Sequence, residues 1–409
     1  MTVSTAVKWP AVDHPPKAPL SASIARWLWE RAVAQIPVRV TYPDGTVLGA
    51  GSARSPEFEI VRPEAFFARL GRDTKIGFGE AYMAGDWRAG PGTDLADLLT
   101  PFAARLATLV PQRLQRLRTI VDKRVPAHQE NTLDGSRDNI SAHYDLSNDL
   151  FEAFLDPSMS YSAAWFDETG SVADATGLEK AQLRKIDGVL DYAGVTEGTH
   201  LLEIGTGWGA LAIRAAQRGA RVTTVTLSAE QLAFASERVA AAGLSDLVDL
   251  RLQDYREVDG LFDAIVSVEM IEAVGEAYWP TYFATIDRLL APGGTVSIQT
   301  ITMEHVRLLA TKRSFSWIQK YIFPGGIIPS LESIDDTLAA HTTLRVTRRR
   351  ELGEHYARTL HLWREQFNDE WPRLNRLGFD ETFRRMWEFY LGYCESGFRT
   401  GYLGVSQLQ

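Results

Sequence analysis

THLLEIGTGWG, residues 199–209, is the stretch from which the rest of the chain can be read. His200-Leu201-Leu202 is a short strand-like run. Glu203 and Ile204 follow, then three alternate glycines, Gly205, Gly207 and Gly209. Ala210 to Arg218 has the pattern of an amphipathic helix. The order is strand, glycine turn, helix, and a turn without Cβ atoms lets the backbone approach a nucleotide-like ligand. The spacing G-x-G-x-G, with an acidic residue two positions before it, suits S-adenosylmethionine. A dinucleotide site has G-x-G-x-x-G, whose third glycine serves helix packing.

The pattern continues outward. Strand 200–205 and helix 210–218 are followed by strand 221–227 (RVTTVTL), helix 229–242 and strand 248–253. Strand 262–268 (FDAIVSV) leads to helix 277–290, and Pro292-Gly293-Gly294 turns into strand 295–301 (TVSIQTI). Such alternation predicts an α/β, doubly wound, mostly parallel sheet. Residues 343–350 and 396–407 are expected to supply its last two strands, and 303–340 reads as a helical, aromatic-rich insertion. Upstream, residues 1–20 read as a flexible arm. Two apolar runs around Pro43-Asp44-Gly45 give a hairpin within 36–62, and 63–121 look mostly helical, with Pro91 and Pro101 as breaks. The expected organisation is an N-terminal α+β domain over 21–125, a linker over 126–138 and a Rossmann-like domain over 139–409.

Composition narrows the function. The 409 residues are 45% hydrophobic and 23% charged, ordinary for a globular protein. A net charge of −9 argues against nucleic acid as a partner. The single cysteine, Cys394, excludes an internal disulfide framework and fits a reducing, cytoplasmic compartment. The opening MTVSTAVKWPAVDHPP lacks the pattern of a secretory leader. No run of about 18 apolar residues occurs, so membrane contact is expected to be peripheral, on the inner face. Arg113, Arg116, Arg118, Lys123 and Arg124 are interleaved with Leu114, Leu117, Ile120 and Val121. That segment reads as a solvated helix face or as a basic surface for anionic lipid.

In an open α/β sheet, ligands bind outside the carboxyl ends of the strands. Thr226 ends the second strand, where a ribose ligand is usually Asp or Glu, and Gln231 lies just over one helical turn on. Gln253, Asp254 and Tyr255 end the third strand, where adenine is expected. With Glu203, Gly205, Gly207 and Gly209, these make the candidate cofactor site.

Four further segments extend the reading: HYDLSNDLFEAFLDPSMSYSAAWF (143–166), VSVEMIEAVG (266–275), QKYIFPGGIIPS (319–330) and YARTLHLWREQF (356–367). With LEIGTGWG, TLSAEQ and QDYR, they resemble the cyclopropane-fatty-acyl-phospholipid synthase family of S-adenosylmethionine-dependent lipid methyltransferases. IGFGEAYMAGDW (76–87) carries the resemblance into the N-terminal domain, as in the longer members, which are often dimers. EMIEAVG, IQKYIFPGG and WEFYLGYCESGFRTGYL are similar to actinobacterial members that methylate oleoyl chains toward 10-methyl fatty acids.

The resemblance implies a cis-unsaturated phospholipid acyl chain as substrate. An alkene attacks the sulfonium methyl without a base and leaves a carbocation, which a dry site protects and aromatic faces steady. Proton loss with ring closure gives cyclopropane. A hydride shift to the neighbouring carbon, followed by proton loss from the new methyl, gives a 10-methylene chain, which a separate flavin- or NADPH-dependent reductase would saturate. The family's presumed base is a bound bicarbonate, held by a Glu, a His, a Tyr and two backbone amides. By motif these are Glu272, Tyr356 and the amides of Ala163 and Ile301, with Gln299 where the His is expected. Ala163 stands where a Cys is expected. Gln299 can hydrogen-bond an anion but cannot accept a proton at neutral pH. The departure favours the methylene product, with cyclopropane formation as the alternative. Glu269 is read evenly as a packing residue or as a partner of the cofactor's sulfonium. Tyr144, Tyr161 and Ser162 match the segment that closes over the methionine part of the cofactor, with His143 as a structural partner. Some of Trp165, Phe166, Trp279, Phe315, Trp317, Tyr321 and Phe323 are expected to face the lipid. A small-molecule O- or N-methyltransferase would instead require a polar acceptor pocket in place of the aromatic insertion. A non-catalytic lipid-binding protein is disfavoured by the intact glycines and Glu272.

Overall fold

A computed structural model describes residues 9–105, 126, 147–167 and 175–409. The basic segment 113–124, the linker other than Pro126, His143 and Tyr144 lie outside the described residues. The chain divides into two compact units, and the division does not follow the sequence in one cut.

The first unit combines the N-terminal residues with Ser314–Ile322 and Trp363–Tyr402. Its sheet has the order β2-β1-β3-β4, from Val47–Leu48, Arg39–Thr41, Glu57–Ile60 and Trp87–Ala89. The hairpin around Asp44 forms as its sequence predicts: Asp44 accepts from the Thr46 amide at 2.9 Å, and Gly45 takes φ +85°. Phe58 stacks on Trp87 at 4.3 Å between ring centroids, and Trp29, Phe66 and Phe78 close around that pair. The helix Leu95–Arg105 runs through Pro101, where a break was expected. Burial of Leu95, Ala96, Leu98 and Leu99 holds it across the missing donor. Part of the expected flexible arm is also ordered. Pro10–Asp13 is a short helix, Val12 is buried, and the Arg69 guanidinium donates to the carbonyls of Ala11 and Val12 while pairing with buried Asp86.

The second unit carries the sheet read from the sequence, in the order β10-β11-β9-β8-β5-β6-β7. β5 is His200–Ile204, β6 Arg221–Thr226, β7 Val248–Leu252, β8 Phe262–Val268 and β9 Leu290–Met303; these five are parallel. β10 (Arg349–Glu351) and β11 (Leu403–Leu408) close one edge in antiparallel pairing. Side chains alternate across the sheet. Leu201, Val222 and Val266 enter one core with Leu190, Leu211 and Val239. Leu202, Val225 and Ile265 enter the other with Tyr282, Phe283 and Leu338. Burial on both faces explains the nearly continuous apolar runs.

Three local expectations are corrected. Residues 396–399 belong to the helix Glu381–Arg399, so the last strand starts at Leu403. The penultimate strand is confined to Arg349–Glu351. Pro292-Gly293-Gly294 lies inside the long β9, where the register with β8 shifts between Phe262 and Ala264, so the turn is absorbed as an irregularity. The expected insertion holds the helices His305–Thr311, Trp317–Tyr321 and Leu331–His341. No described helix is long and apolar enough to cross a membrane.

Candidate active site

An open cleft lies at the carboxyl ends of β5, β6, β7 and β8, where an α/β sheet binds its ligand. Tyr161, Ser162, Glu203, Gly205, Gly207, Thr226, Gln231, Gln253, Asp254 and Tyr255 all line it. The turn after β5 is pinned by the amides of Gly205 and Thr206, which donate to the Val225 carbonyl at 3.0 and 3.2 Å. Gly205 and Gly207 take φ +99° and +52°, and nothing lies within 4 Å of where a Gly207 Cβ would stand. Gly209 is different. It does not line the cleft, and its Cβ would meet that of Ala235 at 3.1 Å, so it serves close packing of two helices.

The next strand tips are equally well explained. Ser228 caps the helix Ala229–Ala241 by accepting from the Gln231 amide, which sets Gln231 in the first turn. There the Thr226 hydroxyl donates to Gln231 Oε1 at 3.1 Å. Asp254 is buried and held by Arg256 through both carboxylate oxygens, at 2.8 and 2.6 Å. Glu203 accepts from Thr224 at 2.6 Å, and burial pushes its pKa up to about 8.

Sequence reading missed Lys185. It sits on the buried face of the helix Ala175–Tyr192, donates to Ser162 Oγ at 2.6 Å and lines the cleft. Burial lowers its pKa to about 8, against the opposing charges of Glu269, Asp156 and Glu203. Its signal was its place in the apolar spacing of Leu178, Ala181, Ile186 and Val189. Gln182, one turn before, donates to the Ser162 carbonyl at 2.9 Å, so this helix shapes the 158–163 loop.

The five residues expected to carry chemistry gather around two glutamates. Glu269 Oε1 accepts from the Ala163 amide at 2.9 Å and from Gln299 Nε2 at 2.8 Å, and the Tyr356 hydroxyl bonds the same carboxylate. Glu272 Oε1 accepts from the Ile301 amide and from Thr300 Oγ1, while its Oε2 is buried with no partner among the described residues. Burial raises the pKa of both. The donors and Lys185 oppose this at Glu269. Glu272, which also feels the charge of Glu269, is pushed up to about 8. Glu269 lines the cleft and Glu272 does not.

The expected aromatics do not line the cleft. Trp279 is in a sheet core, Trp317 packs on Phe389 in the first unit, and Trp165 lies under Arg350 at 3.9 Å. Other residues line it: Tyr161, Trp208 and Tyr255, beside the aliphatic Ile186, Leu211, Val225, Val268 and Val274 and the Met270 side chain.

The family model described as mycolic acid cyclopropane synthetase matches residues 131–408. The chain belongs to that family. It is 52% identical to tuberculostearic acid methyltransferase UfaA1 of Mycobacterium tuberculosis, over 98% of this chain and 94% of that one. It is 35% identical to cyclopropane-fatty-acyl-phospholipid synthase of Escherichia coli, over 85% and 86% of the two chains. Among solved structures, the mycolic acid cyclopropane synthase CmaA1 complexed with SAH and CTAB aligns with a TM-score of 0.60 at 32% identity, covering 66% of this chain and 96% of that one. The seven-stranded sheet is therefore that of a class I methyltransferase, and this family member is an S-adenosylmethionine-dependent, lipid-modifying enzyme. The glycine cradle fits the cofactor: two glycines at positive φ leave its floor open where side chains would stand.

Proposed function

We propose that this enzyme methylates the cis double bond of an oleoyl-type phospholipid acyl chain and releases a 10-methylene chain. The likeness to tuberculostearic acid methyltransferase carries this reading, and the apolar side of the cleft, with Ile186, Leu211, Val225, Val268, Met270 and Val274, suits an acyl chain. An O- or N-methyltransferase frees its acceptor of a proton before or during transfer, whereas an alkene attacks the methyl group first and gives up a proton only afterwards. The likeness to tuberculostearic acid methyltransferase along the whole chain supports the product class.

When bound, S-adenosylmethionine supplies an electrophilic methyl group. Gly205 and Gly207 would leave room for it at the floor of the cleft, and Thr226, Gln231 and Asp254 would hold the nucleoside part. Val268, Met270 and Val274 exclude water from the cationic chain that forms, since water would quench it. A hydride shift brings the positive charge to the methyl-bearing carbon, and loss of a methyl proton leaves the methylene. A separate reductase then gives the 10-methyl product.

Oleoyl phospholipid vesicles and cofactor labelled with carbon-13 in the methyl group test this. Proton NMR of the released acyl chain should show vinylidene protons. Upfield ring protons would establish cyclopropane formation instead, and label-free lipid would refute acyl methylation. Gln231→Ala should weaken cofactor binding about tenfold in calorimetry, the worth of one buried hydrogen-bonding group.

A further inference from the structure

We infer that Glu269 is the resident proton acceptor of this site, its carboxylate standing where a bound bicarbonate was expected. The inference rests on the acyl-methylation reading and names the base for it.

The expected anion site is already full. The Ala163 amide, the Gln299 side chain and the Tyr356 hydroxyl all bond Glu269. The remaining expected donor, the Ile301 amide, bonds Glu272. No donor of the set is left for a free anion, so the residues present do not fit bicarbonate.

The arrangement is built around Glu269. Its φ is +50°, a left-handed conformation that a non-glycine residue adopts at a cost of about 1–3 kcal/mol when its surroundings impose it. Here its amide donates to the Gln299 carbonyl at 2.7 Å, and its carboxylate is clamped by the Gln299 side chain. Gln407 Nε2 donates to Gln299 Oε1 at 3.0 Å, which turns the Gln299 amide nitrogen toward Glu269. Both glutamines are fully buried. Gln407 and Gln299 are positioning residues, and the strained backbone aims the carboxylate at the cleft between Val268 and Met270.

The competing groups are unsuited. Gln299 and the Ala163 amide cannot accept a proton at neutral pH. The Glu272 carboxylate is turned to β9 and lies outside the cleft lining. In the step assigned to Glu269, a C–H bond of the new methyl breaks, its electron pair becomes the π bond of the methylene, and the proton passes to the carboxylate. No further reactant is required.

Wild type, Glu269→Gln and Glu269→Gly are compared in carbon-dioxide-free buffer with and without millimolar bicarbonate. Turnover is followed on oleoyl vesicles, and binding of bicarbonate and of S-adenosylhomocysteine by calorimetry. Wild type should bind no bicarbonate and keep its turnover without it. Glu269→Gln should lose about a thousandfold in turnover, within the range for a general base, yet bind S-adenosylhomocysteine within about threefold of wild type. Glu269→Gly, which removes the carboxylate and accepts the backbone conformation, should bind bicarbonate and regain turnover with it. Bicarbonate binding to wild type, or bicarbonate-dependent wild-type turnover, would overturn the inference. So would Glu269→Gln retaining turnover. If wild type methylates no oleoyl lipid, the functional reading fails, and the bicarbonate calorimetry still decides what occupies the anion position.

Discussion

Gly205→Val should lower affinity for S-adenosylmethionine at least about a hundredfold, the loss of about 2.7 kcal/mol of binding free energy. Gly205 sits at φ +99°, which a β-branched residue does not adopt without severe strain. The turn has little freedom to relax, because the Gly205 and Thr206 amides both donate to the Val225 carbonyl. A Cβ at Gly205 would stand 3.6 Å from the Met270 side chain, so the added methyls would project into the cleft floor. Calorimetric titration of the folded variant checks the expectation. Gly209→Ala is the contrasting control. Its strain and its clash with Ala235 fall on helix packing, so melting temperature should drop while cofactor affinity stays near wild type. Binding by Gly205→Val within tenfold of wild type would remove the glycine turn from the cofactor site.

The contrast between those two glycines also shows what the sequence discloses. The period of the pattern gave β5, β6, β7 and β8 their places, because parallel strands buried on both faces stand out as apolar runs between amphipathic helices. The end of the chain was less legible. Residues 396–399 were expected to open the last strand, yet they end the helix Glu381–Arg399, which buries Phe389, Tyr390 and Phe398. Of the aromatics expected to face the lipid, Trp279 and Trp317 are buried in cores.

For the site, residues at strand tips could be placed from order alone. The Glu269 cluster could not, because Ala163, Glu269, Gln299, Tyr356 and Gln407 meet only through tertiary structure. Ala163 and Gln299, taken singly, looked like losses from an anion site. Beside a carboxylate already in that place, an N–H that donates is the complementary partner, and at Gln299 the Gln407 donor to Oε1 leaves the Nε2 end for Glu269.

Glu272→Gln should flatten the dependence of stability on pH between about 4.5 and about 8, while leaving turnover within about tenfold of wild type. The folded-state pKa of Glu272 is raised from 4.5 to about 8, chiefly by burial and next by the charge of Glu269. Between those values the folded protein keeps a proton that the unfolded chain releases. Stability is therefore greatest below the unfolded pKa and falls as pH rises, by at most about 1.4 kcal/mol per pH unit for this group, and levels off above about 8. Glu203 slopes the same way, since its pKa is also raised to about 8, so part of the wild-type trend should survive in the variant. Lys185, lowered from 10.5 to about 8, acts above that window and with the opposite slope. An amide mimics the neutral acid: its oxygen still accepts from Ile301 and Thr300, so the end of β9 keeps its place. Urea unfolding across pH 5 to 8 reads the slope, and the vesicle assay reads turnover. An unchanged slope would mean that Glu272 is ionised in the folded protein.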